Sequence, residues 1–356
     1  MRAVTREYRF GIIGLGTIAH FHANAIQAMR GGRLVAVASR DRARADEFAR
    51  KFGVDAAGSY RALVERDDID IVTICTPSGA HLEPTVMAAR HGKHVLCEKP
   101  FDVTLRRIDR MIETCQSSRV VLGGIFQSRT SEVYQRIKQA VDGGRFGRLA
   151  LGSAYGKWWR SQAYYDSAAW RGTRRLDGGG CLMNQGIHAI DLLQWFMGPA
   201  VEVRAFAARR SHTRIDVEDA AVAAIRFASG ALGVIEGATS AWPGHAKKIE
   251  LCGDQGSVAT REDDLATWTF ARREKGDAAL VKRLGARDTG RGGAADPRAI
   301  AFTGHQRQFE DFVSALRTGR PPSVDGAEGR KSVELILAIY RSASTGRTVK
   351  LPLRNA

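Results

Sequence analysis

The chain has 356 residues, 44% of them hydrophobic, and carries 54 Lys and Arg against 38 Asp and Glu, a formal charge of +16. No stretch approaches the roughly 20 consecutive apolar residues of a membrane span. The basic residues are scattered, without the stripe or aromatic platform of a nucleic-acid-binding surface. We therefore expect no membrane span and no nucleic-acid partner. At roughly 150 residues per domain, the length suggests two domains.

The cysteines, the histidines and the start of the chain bear on two expectations: whether the protein binds a metal and in which compartment it works. The five cysteines have no CxxC spacing, so neither a disulfide scaffold nor a zinc ribbon is expected. His20, His22 and His245 have no spacing typical of metal ligands, and we predict no metal site. The start of the chain has no apolar run followed by a small-residue cleavage site. These features predict a cytoplasmic protein.

The first part of the chain alternates short runs rich in Val and Ile with segments of helical period. Strands are predicted at residues 9–13, 34–38, 69–75, 93–97 and 119–122. Helices between them include 19–29, 43–52 and 105–115. This alternation is typical of a parallel, doubly wound α/β sheet. We predict a Rossmann domain over residues 1–128.

The pattern changes after about residue 130, where the predicted strands are longer and several are joined by hairpin-like turns. These strands are 149–156, 201–208, 220–227, 231–238 and 248–251. Helices are predicted at 132–141, 186–196, 302–317 and 328–343, and an exposed loop at 272–299. Residues 129–356 are predicted to form an α+β domain on a large, mostly antiparallel open sheet, whose closing helices can pack back on the Rossmann domain.

The strongest local motif is Gly14-Leu15-Gly16-Thr17-Ile18-Ala19, between the first predicted strand and the first predicted helix. In a dinucleotide site the first glycine makes the tight turn, the second admits the pyrophosphate, and the third small residue lets helix and strand pack closely. The helix N-terminus then faces the phosphates. We predict that Gly14, Gly16, Thr17 and Ile18 bind the cofactor. A purely structural glycine turn is the alternative.

The end of the second strand bears on the choice between NAD and NADP. An acidic residue there would bind the ribose 2′-hydroxyl, but the sequence has Ser39-Arg40-Asp41. Ser39 can donate to a 2′-phosphate and Arg40 can pair with it, which favours NADP. Asp41 keeps NAD open as the alternative.

Polar residues also follow the third and fourth predicted strands. Thr76-Pro77 leads to His81 after one strand, and Glu98-Lys99-Pro100 follows the next. Ligands of doubly wound sheets bind at the carboxyl ends of the strands. A lysine at that edge can donate to a substrate hydroxyl, although a surface lysine is the alternative.

Together these motifs resemble the Gfo/Idh/MocA oxidoreductases. The resemblance rests on the glycine motif, the Thr76 to His81 segment, Glu98-Lys99-Pro100, Trp170-Arg171-Gly172-Thr173 and the run from Gly178 through Asn184 and His188 to Asp191. It extends over essentially the whole chain. It implies a Rossmann domain that holds the nicotinamide cofactor and a second domain whose sheet covers the substrate and commonly forms the oligomer interface.

The resemblance also implies roles for individual residues. The family's catalytic lysine falls on Lys99 and its catalytic histidine on His188. Many members have an aspartate four residues before that histidine, where this chain has Asn184. Asparagine cannot take a proton, so Asn184 is expected to bind the substrate by positioning a sugar hydroxyl rather than to relay a proton. The residues expected at the cofactor are Thr76, Pro77, His81, Glu98 and Lys99, besides those of the glycine motif and Ser39-Arg40. Gln127 and Arg171 match family positions near the nicotinamide and the substrate.

The segment 155–165, which precedes the histidine, is rich in aromatic and basic residues. Tyr155 could stack on a sugar face and Arg160 could pair with a carboxylate or phosphate. Strand-edge packing and an oligomer contact are the equally weighted alternative.

These observations predict an NAD(P)-dependent oxidoreductase acting on a secondary hydroxyl or ketone of a sugar, sugar derivative or sugar nucleotide, active as a homodimer or homotetramer. His188 would serve as acid and base while Lys99 polarises the substrate oxygen. The alternatives are a redox-assisted NAD-dependent glycosidase, an inositol dehydrogenase and, more remotely, a non-catalytic cofactor-sensing regulator.

Overall fold

The computed structural model describes residues 6–285 and 302–353. The chain divides into two units. The first contains the residues up to Gln127 together with 301–330, and the second contains 128–300 together with 331–356.

The first unit is built on a six-stranded sheet whose paired strands are all parallel, in the order β3-β2-β1-β4-β5-β6. The strands are β1 (Tyr8–Ile13), β2 (Gly32–Ala38), β3 (Asp55–Ala56), β4 (Ile71–Ile74), β5 (His94–Cys97) and β6 (Leu122–Gly124). The helices are α1 (Thr17–Ala28), α2 (Arg42–Phe52), α3 (Tyr60–Val64), α4 (Leu82–Arg90), α5 (Leu105–Ser117) and α10 (Thr303–Thr318). The carboxyl ends of β1, β2, β4 and β5 therefore lie at one edge of the sheet, where ligands of this architecture bind.

Helix α10 completes the core of this unit although it begins 179 positions after the end of β6. Phe309 and Phe312 are buried, and the Phe309 ring centroid lies 5.6 Å from that of Phe10 on β1. Burial of large aromatic side chains is the main reason that such a distant helix joins the unit.

The second unit is built on an eight-stranded sheet in the order β13-β12-β11-β7-β10-β9-β8-β14. Only β7 and β10 pair in parallel. The strands are β7 (Leu149–Lys157), β8 (Ala200–Ala208), β9 (Ala220–Phe227), β10 (Leu232–Ala238), β11 (Lys248–Gly253), β12 (Gly256–Arg261), β13 (Asp264–Phe270) and β14 (Val349–Lys350). The helices are α6 (Glu132–Asp142), α7 (Gln162–Asp166), α8 (Ile187–Met197) and α9 (Asp277–Leu284), while α11 (Gly326–Thr345) runs across the division at residue 330.

The two faces of the second sheet differ. On the inner face a Cβ at Gly152 of β7 would meet Met197 and Leu193, so helix α8 packs closely against this strand. The outer face of β7, β8, β9 and β10 is exposed and carries apolar side chains, namely Leu151, Phe206, Val222, Leu232 and Val234. We call these five residues the apolar sheet face.

A buried ion pair fixes helix α8 within the second unit. The Arg129 guanidinium donates to both carboxylate oxygens of Asp191, at 2.8 and 2.7 Å, and the Ser332 hydroxyl donates to the same carboxylate at 3.0 Å. Breaking such a buried pair by removing one partner typically costs about 3–5 kcal/mol. The helix that carries His188 is therefore held in a defined position.

The predicted fold class is confirmed, with a parallel Rossmann sheet followed by a mostly antiparallel sheet. The seven predicted helices and all but one of the predicted strands agree with the structure to within two residues at each end. The strand predicted at 119–122 is displaced to Leu122–Gly124. Arg119 has a φ of +56°, a left-handed conformation that ends the preceding helix and delays the strand.

The loop predicted at 272–299 is wrong in part, because α9 (Asp277–Leu284) is a helix. None of its side chains is buried, so it gives no strong amphipathic signal. The Asp277 carboxylate holds it by accepting from Arg145 at 2.8 Å and from Trp268 at 2.9 Å. Residues 286–299 of the predicted loop lie outside the described residues. No helix in the described ranges is both long enough and apolar enough to cross a bilayer.

Candidate active site

The turn between β1 and α1 has the geometry of a dinucleotide-binding turn. Gly14 has a φ of +91°, and a Cβ there would lie 2.7 Å from the backbone of Cys75 and Thr76. At Gly16, by contrast, a Cβ would meet no atom within 4 Å, and Gly16 and Thr17 are exposed. The first glycine is thus required by the fold, while the second leaves open space beside the N-terminus of α1. This open N-terminus, which begins at Thr17 and Ile18, fits the pyrophosphate of a dinucleotide.

The end of β2 presents a serine and an arginine to the same edge of the sheet. Asp41 is occupied as the N-cap of α2, where its carboxylate accepts from the Arg44 backbone N–H at 3.1 Å. Ser39 Oγ accepts from the Asp41 backbone N–H at 3.1 Å. Arg40 lies beside the Tyr60 hydroxyl; burial raises the pKa of Tyr60, and the Arg40 guanidinium partly opposes that shift.

His81 braces the loops that follow β4 and β5. Its Nε2 lies 2.8 Å from the Thr76 carbonyl oxygen and its Nδ1 lies 2.9 Å from that of Pro100. Both ring nitrogens therefore face backbone atoms of the protein. Thr76 and Pro77 are held at the carboxyl edge of the sheet by this contact and by the bond from the Thr76 hydroxyl to the Ala80 carbonyl, at 2.9 Å.

Glu98 is buried and holds the backbone of Lys99. Its Oε2 accepts from the Lys99 N–H at 3.1 Å, and its Oε1 lies 2.8 Å from Nε2 of His22. Burial alone would raise the pKa of Glu98, but the His22 hydrogen bond and the positive charge of Lys99 help to lower it to about 2. His22 is itself oriented by the Thr73 hydroxyl, 2.8 Å from its Nδ1.

His305 on α10 joins this pair, with Nε2 3.8 Å from Glu98 Oε1. Neither ring nitrogen of His305 has a hydrogen-bond partner among the described residues, and burial lowers its pKa to about 4. His22, Glu98 and His305 bring two imidazoles and a carboxylate within 4.8 Å, a donor set that metal sites also use. A direct hydrogen bond already joins two of them, so the observed contacts need no ion.

In the second unit a π-helical turn, Cys181–Gly186, leads into α8 and carries Asn184, and His188 lies in the first turn of α8. The buried Glu218 carboxylate accepts from the N–H groups of Gly180 and Leu182, at 2.9 and 3.0 Å. Burial raises the pKa of Glu218. A Cβ at Gly180 would lie 1.6 Å from the Glu218 carbonyl oxygen, which explains why this part of the glycine run is needed. Glu218 thus satisfies the start of the turn that carries Asn184.

Polar side chains surround this turn. Asn184 Nδ2 donates to Asp177 Oδ1 at 2.6 Å. The Tyr164 hydroxyl oxygen accepts from Arg171 at 2.6 Å and from Gln185 at 3.2 Å. Burial raises the pKa of Tyr164, so its phenol keeps its proton at neutral pH. With two N–H groups donating to its oxygen, that proton is available to an acceptor.

Tyr155, predicted as a substrate-binding residue, lies on the other face of the sheet. Successive side chains of a strand point to opposite faces. Gly156 of β7 faces the π-helical turn, because a Cβ at Gly156 would lie 3.7 Å from the Gly186 Cα. Tyr155 therefore points to the outer face. There it lies near Lys157, whose Nζ is 5.1 Å from its ring centroid. The aromatic rings beside Arg171 are those of Tyr164 and Trp170, with centroids 4.2 and 4.7 Å from its guanidinium carbon.

Arg160 follows β7 and is buried, with its guanidinium 5.1 Å from the Trp158 ring and 5.6 Å from the Tyr164 ring. Its carbonyl oxygen lies 2.8 Å from Nε2 of His212. Gln127 begins the 3₁₀ turn that follows β6 in the first unit. The structure thus gathers the predicted cofactor residues in the first unit, and Arg160, Arg171, Asn184 and His188 in the second.

Sequence reasoning missed four contributors: Asp177, Glu218, His22 and His305. The last three act across long sequence separations, which spacing cannot reveal. Asp177 lies next to the glycine run, and an acidic residue seven positions before Asn184 was a weak signal that could have indicated it.

A glycine turn built for a dinucleotide and an open-sheet unit with a polar cluster define a nicotinamide-dependent oxidoreductase. Residues 8–125 match the model of the oxidoreductase family with an NAD-binding Rossmann fold, and residues 134–259 match the GFO/IDH/MocA C-terminal domain. The chain belongs to the Gfo/Idh/MocA oxidoreductase family, as its motifs predicted. It is therefore an enzyme of the NAD(P)-dependent oxidoreductase class.

Similar proteins cover nearly the whole chain. Myo-inositol 2-dehydrogenase of Thermotoga maritima is 29% identical over 96% of this chain and 98% of its own. D-xylose 1-dehydrogenase (NADP(+)) 2 of Haloferax volcanii is 30% identical over 96% and 99%. The crystal structure of the WlbA dehydrogenase from Bordetella pertussis, in complex with NADH and UDP-GlcNAcA, matches with a TM-score of 0.87 and 31% identity over 98% and 100%. One of these relatives is thus named for NADP(+), and another holds NADH in its crystal structure.

Proposed function

We propose that the protein transfers a hydride between nicotinamide C4 and a secondary hydroxyl or ketone of a sugar, sugar derivative or sugar nucleotide. The observation that carries this proposal is the combination of the Gly14 turn with the cluster of Asp177, Asn184, Tyr164 and Arg171, which offers donors and acceptors to a polyhydroxylated substrate. The similar proteins are named for sugars, an inositol and a sugar nucleotide, which supports the same substrate class.

The cofactor would be held by the glycine turn, by Ser39 and Arg40 at β2, and by Thr76 and Pro77 after β4. When bound, it supplies the hydride acceptor in oxidation and the hydride donor in reduction. His81 and Glu98 hold the loops of this surface in place rather than contact the cofactor. His81 faces the Thr76 carbonyl, and Glu98 faces the Lys99 N–H and His22.

The chain's own residues handle the proton and the substrate oxygen. During oxidation His188 takes the hydroxyl proton as the carbon loses its hydride, and during reduction it returns a proton to the new alkoxide. Lys99 donates a hydrogen bond to the same oxygen and stabilises the charge that develops there. The Glu98 carboxylate fixes the backbone at Lys99, and the Asp191 ion pair fixes the helix that carries His188.

Two arginines favour an acidic substrate within this class. Arg171 and Arg160 flank the Tyr164 ring, with guanidinium carbons 4.2 and 5.6 Å from its centroid. Arginine pairs well with carboxylates and phosphates, which a uronic acid or sugar nucleotide carries. A sugar acid or nucleotide sugar is therefore preferred here over a neutral cyclitol.

The experiment that tests the proposal follows reduced-nicotinamide absorbance with NAD and NADP against myo-inositol, D-xylose, levoglucosan and UDP-GlcNAcA. Turnover by the wild type that is lost in Lys99→Met, with cofactor affinity kept, is the expected result. Unchanged turnover in Lys99→Met would contradict the role of the lysine. Release of reducing sugar from glycosides without added cofactor would instead identify a redox-assisted glycosidase.

For the cofactor we favour NADP. Asp41 is occupied as the cap of α2, whereas among the described residues no carboxylate pairs with Arg40. An arginine without an ion-pair partner beside the ribose position is suited to a 2′-phosphate.

For the assembly we favour a homodimer or homotetramer formed through the apolar sheet face. Phe206 is 69% exposed and Val222 48% exposed, on adjacent strands in direct register. Contiguous apolar patches on one face of a sheet mark interaction surfaces. A second copy of the chain is the occupant that an isologous contact would supply.

We place the enzyme in the cytoplasm. All five cysteines are free thiols, and four of them are buried. Free thiols are typical of a reducing compartment, and the nicotinamide cofactors are available there.

A further inference from the structure

The Asp177 carboxylate makes two short contacts from a buried position. Oδ1 accepts from Asn184 Nδ2 at 2.6 Å, and Oδ2 accepts from the Gly172 backbone N–H at 2.9 Å. Asp177 is 2% exposed. The carboxylate therefore joins the loop that carries Arg171 to the π-helical turn that carries Asn184.

These contacts decide which way the Asn184 amide points. An ionised carboxylate only accepts hydrogen bonds, so the NH₂ group of Asn184 must face Asp177. The opposite assignment would place two acceptor oxygens 2.6 Å apart. The amide oxygen is therefore the atom that Asn184 presents away from Asp177, and it can only accept.

We propose that Asp177 is a positioning residue that fixes Asn184 as a hydrogen-bond acceptor for a substrate hydroxyl. This inference rests on the proposed function, because it concerns how the same site recognises a sugar. It makes the site specific for a hydroxyl at the position that Asn184 contacts, since a keto or O-methyl group has no proton to donate there. The Asn184 amide separates the negative charge of Asp177 from the substrate, so this charge repels an acidic substrate less.

An exchange of the two side chains tests the pairing. In Asp177→Asn the Gly172 N–H still needs an acceptor, so the new amide directs its NH₂ group at Asn184 and the Asn184 amide must turn its own NH₂ group away. In Asn184→Asp two carboxyl groups meet at hydrogen-bond distance, and one of them must keep a proton. In the double variant an Asn at 177 can still accept from Gly172 while donating to an Asp at 184, so one donor and one acceptor again face each other.

The first readout is thermal unfolding of the wild type, both single variants and the double variant between pH 5 and pH 8. Both single variants should melt below the wild type, and the double variant should regain most of the loss. In Asn184→Asp the two carboxyl groups share a proton, and its binding to the folded protein has a raised pKa. The pair is therefore stable only at low pH, and the melting temperature of this variant should fall further below that of the wild type as the pH rises. Asp216→Asn is the matched control, because Asp216 also accepts a backbone N–H of this loop, from Arg174 at 3.1 Å.

The second readout is steady-state kinetics with whichever of UDP-GlcNAcA, D-xylose, levoglucosan or myo-inositol the wild type oxidises. Each single variant should lose about 10- to 100-fold in kcat/KM, mostly through the KM for the sugar, with unchanged cofactor affinity. The double variant should recover to within about tenfold of the wild type.

Equal unfolding and kinetics of Asp177→Asn and the wild type would overturn the inference. So would a double variant no better than the combined single variants in either readout. If the wild type oxidises none of the four compounds, the proposed function fails, while the unfolding cycle still decides whether Asp177 orients Asn184.

Discussion

Nε2 of His22 lies 2.8 Å from Oε1 of Glu98, although the two residues are 76 positions apart. The first comes from α1, directly after the glycine turn, and the second from the end of β5. One buried hydrogen bond thus connects the helix that begins at the dinucleotide turn with the residue that precedes Lys99. His305, from α10, completes the cluster with its Nε2 3.8 Å from the same carboxylate oxygen.

This cluster predicts a pH dependence of stability above the range in which carboxylates titrate. Burial lowers the pKa of His305 from 6.5 to about 4, so between these values the unfolded chain binds a proton that the folded chain does not. The free energy of unfolding should therefore fall as the pH drops through this window. Between pH 7 and pH 5 His305 should lower the free energy of unfolding by about 2 kcal/mol, since the slope is about 1.4 kcal/mol for each pH unit below 6.5.

His305→Leu should remove this part of the pH dependence, because leucine is similar in size and does not titrate. Thermal unfolding at pH 7 and pH 5 measures the difference, with His245→Leu as control because His245 is exposed. The His305 variant should show a smaller drop in melting temperature than the wild type and the control. Identical drops in all three would contradict the assignment of a proton-free His305.

The two glycines of the dinucleotide turn should respond differently to alanine. A Cβ at Gly14 would lie 2.7 Å from backbone atoms, and its φ of +91° disfavours any side chain, so Gly14→Ala should lower stability markedly. A Cβ at Gly16 meets nothing within 4 Å. Gly16→Ala should therefore keep the melting temperature while weakening cofactor binding by at least about tenfold.

Melting temperature and cofactor affinity, from quenching of tryptophan fluorescence on titration with NADH and NADPH, distinguish the two effects. A Gly16→Ala variant that binds both cofactors as well as the wild type would contradict a pyrophosphate at this turn. A stable Gly14→Ala variant would contradict the close approach of β1 and the loop after β4.

Local patterns predicted the elements and the cofactor turn because both depend on nearby residues. Short apolar runs predict β1 and β4, and Gly14 and Gly16 lie two positions apart in one turn. The second-domain site is different, because its positions depend on contacts between distant residues. Glu218 holds the start of the π-helical turn from 36 residues beyond Leu182. No spacing rule indicates that contact.

The misplaced Tyr155 shows the same limit on a smaller scale. Composition correctly indicated an aromatic and basic segment, but the face of a strand on which a side chain lies depends on register. Register places Tyr155 opposite Glu236 on the outer face. Tyr164, nine residues later and off the sheet, takes the position beside Arg171.

Arg40 provides the test of cofactor choice. If it pairs with a 2′-phosphate, Arg40→Ala should weaken NADPH binding by about 10- to 100-fold, as expected for loss of a charge-assisted contact, and NADH binding by much less. Arg44→Ala is a matched control, because Arg44 already lies 3.8 Å from the Asp41 carboxylate. A larger loss for NADH than for NADPH would overturn the preference for NADP.

The apolar sheet face provides the test of assembly. Val222 on β9 lies opposite Glu236 on β10, so Val222→Lys places a favourable opposite charge across the strands while making the face charged. The fold should therefore survive while the contact between copies is lost. Light scattering after size exclusion should give a multiple of 38.8 kDa for the wild type and 38.8 kDa for the variant.

The matched control is Val281→Lys on α9, which charges an exposed apolar residue, 40% accessible, that is not part of the apolar sheet face. It should keep the mass of the wild type, because a general increase in positive charge does not separate the copies. A wild type that is already 38.8 kDa, or a Val222→Lys variant that keeps the wild-type mass, would contradict assembly through this face. Because Val222 lies on the face opposite Gly156 and α8, loss of assembly with retained turnover would show that the site works within one copy.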